Sequence, residues 1–84
     1  MLFRRKVEIE VDIWHTECKY DDFPELMRKL RPMLDMLSIR NLTVHMQVLN
    51  NPRWCASGEI LDIVIFGSEM AKAFFDTHRE MYGL

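Results

Sequence analysis

Three histidines and two cysteines give the sequence five side chains of the types that most often hold zinc. Histidine and cysteine are the usual ligands of a tetrahedral zinc site. The expected order of strands and helices brings four of them toward one end of the sheet: His15, Cys18, Cys55 and His78. Their spacing contains neither a Cys-x-x-Cys nor a His-x-x-x-His pair, the patterns typical of zinc proteins. We therefore predict no metal and no other cofactor, and keep these residues only as candidate ligands in an alternative interpretation.

The two cysteines allow two further kinds of chemistry. Cys18 and Cys55 could form a disulfide, or one of them could be a nucleophile with His15 as its base. Nothing recognisable in the sequence orients that base or supplies an oxyanion hole. Glu8, Glu10 and Asp12 are spaced about 7 Å apart on one face of a strand, which is more typical of a solvated face than of an acid/base pair. The chain is therefore predicted not to be an enzyme.

The length of the chain bounds its number of domains, and its net charge bears on nucleic-acid binding. Eighty-four residues predict a single domain, residues 1–84, and a net charge of −2 excludes a polyanion binder that works by bulk charge. Two basic clusters nevertheless keep a nucleic-acid-binding module open as an alternative, through the sheet face or the basic first helix. One cluster is Arg4, Arg5 and Lys6, and the other is Arg28, Lys29, Arg31 and Arg40.

Cysteine content and hydropathy indicate the compartment. Two cysteines are too few for a disulfide scaffold, and no apolar stretch approaches the ~20 residues that span a bilayer. The first residues lack the apolar segment of a signal peptide. We therefore predict a cytoplasmic protein with no membrane contact.

The first half of the chain predicts a strand and a helix. Residues 7–14 alternate between apolar and mostly acidic side chains, a period of two that is typical of a half-buried strand. Asp22 stands at a capping position and Pro24 in the first turn of a helix whose apolar stripe extends to Leu37. Pro32 removes a backbone hydrogen bond within that helix, so we expect a kink or a break there.

The second half predicts two strands and a second helix. Residues 42–49 alternate again, a turn containing Pro52 follows, and residues 59–66 form a nearly continuous apolar strand. Ser68 is expected to cap the last helix and Gly83 to end it.

This order of elements predicts an α+β fold class. A helical crossover makes strands one and two parallel, and the apolar third strand fits between them, so the expected sheet order is 1-3-2 with both helices on one face. The arrangement is a β-α-β-β-α two-layer sandwich, ferredoxin-like but lacking the last strand.

Two surfaces of this predicted fold remain uncovered. Strand one is an edge that could pair with another chain, unless its acidic residues keep it solitary. If Asp62 points away from the helices, the outer face of the sheet is rich in apolar groups, and a bulge at Gly58 is the alternative that would bury them. The predicted partner-binding residues are Trp14, Leu49, Ile60, Val64 and Phe66.

The order and length of the elements resemble those of the DinI family of small SOS-response modulators. The resemblance implies the same topology. The second helix of that family is strongly acidic, whereas here Lys72 and Arg79 dilute Glu69, Asp76 and Glu80. No site residue carries over from the family.

We therefore predict a small, non-enzymatic regulatory or interaction protein, an inhibitor or modulator of a larger protein, that acts by protein–protein contact. Self-association into a homodimer is expected through strand one or the outer face. A nucleic-acid-binding module is the first alternative, and a small metal or thiol protein is the second.

Overall fold

The computed structural model describes residues 9–51 and 59–84. Within them the chain forms two helices and three strands, with short 3₁₀ turns before the first helix and after the second. The elements are β1 (Val11–Lys19), α1 (Phe23–Ile39), β2 (Val44–Asn51), β3 (Ile60–Gly67) and α2 (Glu69–His78). Several predicted features lie outside the described residues: those at Val7, Glu8, Pro52, Cys55 and Gly58, and the basic cluster at residues 4–6.

The sheet has the predicted order. β3 is the central strand and pairs antiparallel with both neighbours, so the order is β1-β3-β2. The described residues therefore form a three-stranded sheet with two helices, which confirms the α+β class. β1 and β2 both lie at an edge and run in the same direction.

The core lies between the sheet and the two helices. Side chains of β3 alternate between buried and half-buried, and the buried set faces α1 and α2. Both helices therefore pack on the same face of the sheet. The buried apolar residues are Ile13, Leu30, Met33, Leu37, Leu61, Ile63, Ile65, Ala71 and Phe75.

The apolar stripe of α1 packs on the sheet, and the solvent-exposed side of the helix accommodates Pro32. Leu30, Met33 and Leu37 are fully buried at helical spacing. Pro32 is exposed, so the carbonyl group of Arg28 that loses its partner can be solvated, and α1 continues through Pro32 without interruption.

The two ends of α1 are closed in different ways, and the cap predicted for the first end is not the one observed. At the N-terminus the predicted cap is wrong. Asp22, the last residue of the 3₁₀ turn, has a helical backbone conformation, and its side chain makes no capping hydrogen bond. At the other end, Asn41 adopts a left-handed conformation with φ of 63°. The amide of Asn41 donates to the carbonyl of Ser38 at 2.9 Å and that of Leu42 donates to Leu37 at 3.0 Å, which closes the helix with a Schellman motif.

A close backbone approach fixes the junction between β3 and α2. Gly67 lies so near Thr43 and Val44 that a Cβ atom at this position would fall 2.9 Å from the Cα of Val44. The amide of Ser68 donates to the Thr43 carbonyl at 3.0 Å. Ser68 then caps α2 as predicted, since its Oγ accepts a hydrogen bond from the amide of Ala71 at 3.1 Å.

Candidate functional site

The outer face of the sheet is the surface that points away from both helices, and β3 forms its centre. Ile60, Val64 and Phe66 alternate with the buried residues of β3 and are half-buried. Leu49 of β2 pairs with Asp62 of β3 in the strand register, so it lies on the same face, where it is 48% exposed. Four of the five predicted contact residues therefore lie on the outer face.

Trp14, the fifth predicted contact residue, lies on the opposite side, and its predicted position on the outer face is wrong. The register between β1 and β3 shifts between Asp12 and Trp14, which leaves Ile13 as an extra, unpaired residue. Such a β-bulge reverses the inside–outside alternation that follows it. Trp14 therefore pairs with Ile65 and packs against the core, with its ring 5.7 Å from that of Phe75 on α2.

The bulge also changes which polar residues of β1 reach the outer face. From residue 14 onward the odd-numbered positions point outward, so His15 and Glu17 lie opposite Val64 and Asp62. Nothing in the residues 11–14 marks a bulge, because their alternation fits a regular strand equally well. The pairing with β3 determines it.

One histidine–carboxylate pair connects the two edge strands across the outer face. Nε2 of His45, on β2, lies 3.1 Å from Oε2 of Glu10, which precedes β1. The His45 imidazole also contacts the ring of Phe66 at 5.3 Å between centroids. The pair therefore places a polar group directly beside the Phe66 ring.

A second histidine stands next to an incompletely bonded carboxylate. Oδ1 of Asp62 is shielded from solvent and accepts no hydrogen bond from the residues that the structure describes, while Nε2 of His15 lies 4.0 Å away, beyond hydrogen-bond distance. The Asp62 side chain as a whole is 25% exposed. The central strand thus carries a partly exposed carboxylate among apolar groups.

The outer face is acidic around its apolar centre. Glu10, Asp12, Glu17 and Asp62 contribute carboxylates, whereas Lys19 is the single lysine or arginine that the three strands place there. Opposite charge attracts and like charge repels across an interface. The surface is therefore suited to a basic partner with an apolar projection.

The predicted metal ligands are not assembled in the described part of the chain. His15 lies on the outer face, whereas Cys18 pairs with Leu61 and packs on the helix side. His78, at the end of α2, stacks on Phe74, and its Nδ1 donates to the Phe74 carbonyl at 2.9 Å. Among residues 9–51 and 59–84 no group of three histidine, cysteine or acidic side chains could hold a metal ion. Cys55 lies outside these ranges.

The environment of Cys18 opposes thiol chemistry at neutral pH. The side chain is a free thiol within the described residues, and the alternative of a disulfide with Cys55 falls on a residue outside them. Burial raises the pKa of the Cys18 thiol, and the negative charge of Asp22 raises it further. Because the thiolate is the nucleophile, both effects reduce the reactive fraction.

The basic first helix is partly neutralised by its own neighbours. Nη1 of Arg28 donates to Glu25 at 2.7 Å, and the guanidinium of Arg40 lies over the ring of Phe74 at 4.9 Å. Asp35 lines the same shallow grooves along α1 as Arg31 and Arg40. These contacts leave a mixed rather than a uniformly basic surface.

The chain matches no protein-family model, no curated protein and no solved structure in the three comparisons. Within the described ranges, no helix is both long and apolar enough to span a bilayer.

Proposed function

We propose that the protein is a non-enzymatic regulatory or inhibitory protein that binds a larger protein through the outer face of its sheet. The observation that carries the proposal is the row formed by Ile60, Val64 and Phe66. These apolar side chains stand on the central strand, and neither helix packs over them. An apolar surface on the middle of a sheet is a common site of protein contact.

The apolar row has the composition of an interface centre. Burying a large apolar side chain fully is worth about 1.5–3 kcal/mol relative to full exposure, and these half-buried side chains retain part of that gain for a partner. Aromatic residues dominate the binding energy of such centres. Phe66, whose ring is in contact with His45, is therefore the anchor we assign, with Val64, Ile60 and Leu49 around it.

The surrounding charge defines the chemistry of the partner. Carboxylates on the outer face favour a protein that presents lysine or arginine side chains around an apolar projection. The same carboxylates repel a phosphate backbone, and Trp14, which packs on the helix side, offers no ring on the outer face for bases to stack on. We therefore favour a protein partner over nucleic acid.

We also infer the fold type and the cellular location of the protein. The arrangement of three strands and two helices supports a ferredoxin-like fold that lacks its last strand, with the helices and the sheet as two layers. The free thiol of Cys18 supports a reducing, cytoplasmic location.

Site-specific photo-crosslinking tests the proposal. A photoreactive amino acid replaces Val64 in one variant and Ile39 in a control, since Ile39 is 81% exposed on α1 and lies off the outer face. In cells of the source organism, we expect a discrete protein adduct from position 64 that is absent from position 39. The same adducts from both positions, or none from position 64, would contradict the proposal.

A further inference from the structure

The second edge strand is far more exposed than a strand packed under helices should be. β2 pairs with β3 on one side only, and every residue from His45 to Asn50 is exposed. Its other side presents backbone N–H and C=O groups that no strand within the described residues pairs with. Such an edge is a template for a further strand.

Apolar side chains of β2 remain uncovered on both faces of the sheet. Met46 and Val48 point to the helix side, because they pair with the buried Ile65 and Ile63, yet they are 36% and 38% exposed. Leu49, on the outer face, is 48% exposed. The helices cover the β3 partners of these residues but leave much of β2 itself open.

The two edges of the sheet differ in what they can accept. β1 carries Asp12, Glu17 and Lys19 on its outward positions and is distorted by the bulge at Ile13, both of which discourage pairing. β2, in contrast, has the sequence Val-His-Met-Gln-Val-Leu-Asn-Asn, without a lysine, arginine or carboxylate. A second copy of β2 therefore meets no repelling charge there.

Face-to-face association of two copies is unfavourable by the same reasoning. It would bring the carboxylates of the outer face, Glu10, Asp12, Glu17 and Asp62, against their equivalents. Like charges that face each other across an interface oppose association. The uncharged edge of β2 is therefore the surface better suited to contact with a second copy of the chain.

We propose that β2 pairs antiparallel with β2 of a second copy, about a two-fold axis at Gln47, to form a continuous six-stranded sheet. This register places Met46 opposite Val48 of the second copy, so the exposed apolar groups of the helix side cover each other. His45 then lies opposite Leu49 of the second copy, and the two Gln47 amides meet at the axis. Among the described strands, β1 then forms both edges of the joined sheet, and its charges and bulge discourage further pairing.

This pairing goes beyond the proposed partner contact, because it uses the strand edge rather than the apolar centre of the outer face. It also moves self-association away from strand one and from the outer face, where the sequence places it. Both outer faces lie on one side of the joined sheet and remain available to a partner.

A charge-swap experiment tests the pairing and its register. Light scattering of the purified protein should give twice the chain mass of 10.1 kDa. Gln47→Lys and Gln47→Glu should each weaken the dimer by at least about fivefold, because equal charges then lie directly opposite each other. A mixture of the two variants should restore a dimer, as opposite charges meet at the axis. Ile39→Lys, on the exposed side of α1, should leave the dimer unchanged.

Each other outcome overturns the pairing. A wild-type protein that stays monomeric at high micromolar concentration, or assemblies larger than a dimer, would show that β2 does not pair in this closed manner. A dimer that resists both charged variants, or a mixture that remains monomeric, would place the interface elsewhere. None of these results concerns the photo-crosslink at position 64, so the two proposals fail separately.

Discussion

Replacing Trp14 by alanine should destabilise the protein strongly, although the side chain looks like a surface residue in the sequence. The bulge at Ile13 turns Trp14 to the helix side, where its indole packs on Phe75 at 5.7 Å and lies below the Arg79 guanidinium at 5.9 Å. A fully buried tryptophan loses about 3–5 kcal/mol on truncation to alanine. Because Trp14 is only half-buried, we expect a loss of about 2–3 kcal/mol, which includes its aromatic contact.

This loss is large compared with the stability of a chain of this size. At about 0.05–0.15 kcal/mol per residue, the free energy of unfolding would be about 4–13 kcal/mol. The substitution should therefore lower the melting temperature by about 10–20 °C. Urea and thermal unfolding, followed by far-ultraviolet circular dichroism, measure the change without depending on the replaced indole.

His15→Ala is the matched control, because it alters the neighbouring residue on the opposite face. The His15 side chain is 58% exposed and lies 4.0 Å from Asp62, so its loss should change stability by less than about 0.5 kcal/mol. In a regular strand without the bulge the two residues would exchange faces. A His15 variant that is destabilised as much as or more than the Trp14 variant would refute the bulge and the assignment of faces.

Two further predictions concern a close contact and a thiol. Gly67→Ala should destabilise the protein by about 3 kcal/mol, near the upper end for overpacking, because the new Cβ meets the backbone at Val44, which cannot rotate away. Chemical denaturation measures this change in the free energy of unfolding. In a Cys55→Ser background, alkylation of Cys18 should rise at a higher pH than for a free thiol, and Asp22→Asn should move that midpoint to lower pH. Since folding raises the pKa of Cys18, its contribution to stability is present below the ordinary thiol pKa and is lost as the pH rises through the folded value.

Each of these predictions has its own control. Gly83→Ala adds a Cβ where the nearest atom is 3.5 Å away, so its left-handed φ of 78° should cost only about 1–2 kcal/mol, less than at Gly67. An equal or larger loss at Gly83 would contradict the close contact. Asp21→Asn should leave the alkylation midpoint of Cys18 in place, and an equal shift from both aspartate variants would contradict the assigned role of Asp22.

The apolar content of the strands is enough to predict the sheet order, and the position of Asp62 is enough to predict the exposed side of β3. Residues 59–66 are more apolar than the other strands, which placed them at the centre, and Asp62 indicated which side points away from the core. Ser68 was recognisable as a cap because a hydroxyl residue directly precedes the helical pattern.

The features that the sequence did not reveal depend on contacts between distant segments. The bulge at Ile13 arises from pairing with β3, and the exposure of Met46 and Val48 arises because two helices do not cover the full width of three strands. Asp22 lost its capping role because the 3₁₀ turn before α1 gives it a helical backbone. In each case the local pattern fits two arrangements, and tertiary packing selects one.

The most direct test of the outer face as the binding surface uses the protein that is crosslinked at position 64. The quantity to measure is the affinity of the Phe66→Asp variant for that protein. Calorimetry or surface plasmon resonance would compare this variant with the wild type and with Ile39→Asp, the equivalent change outside that face. We expect a loss of about 30-fold or more for Phe66→Asp, as for an aromatic anchor at an interface centre, and no change for Ile39→Asp. Equal affinities for the wild type and a folded Phe66→Asp variant would contradict the proposed function.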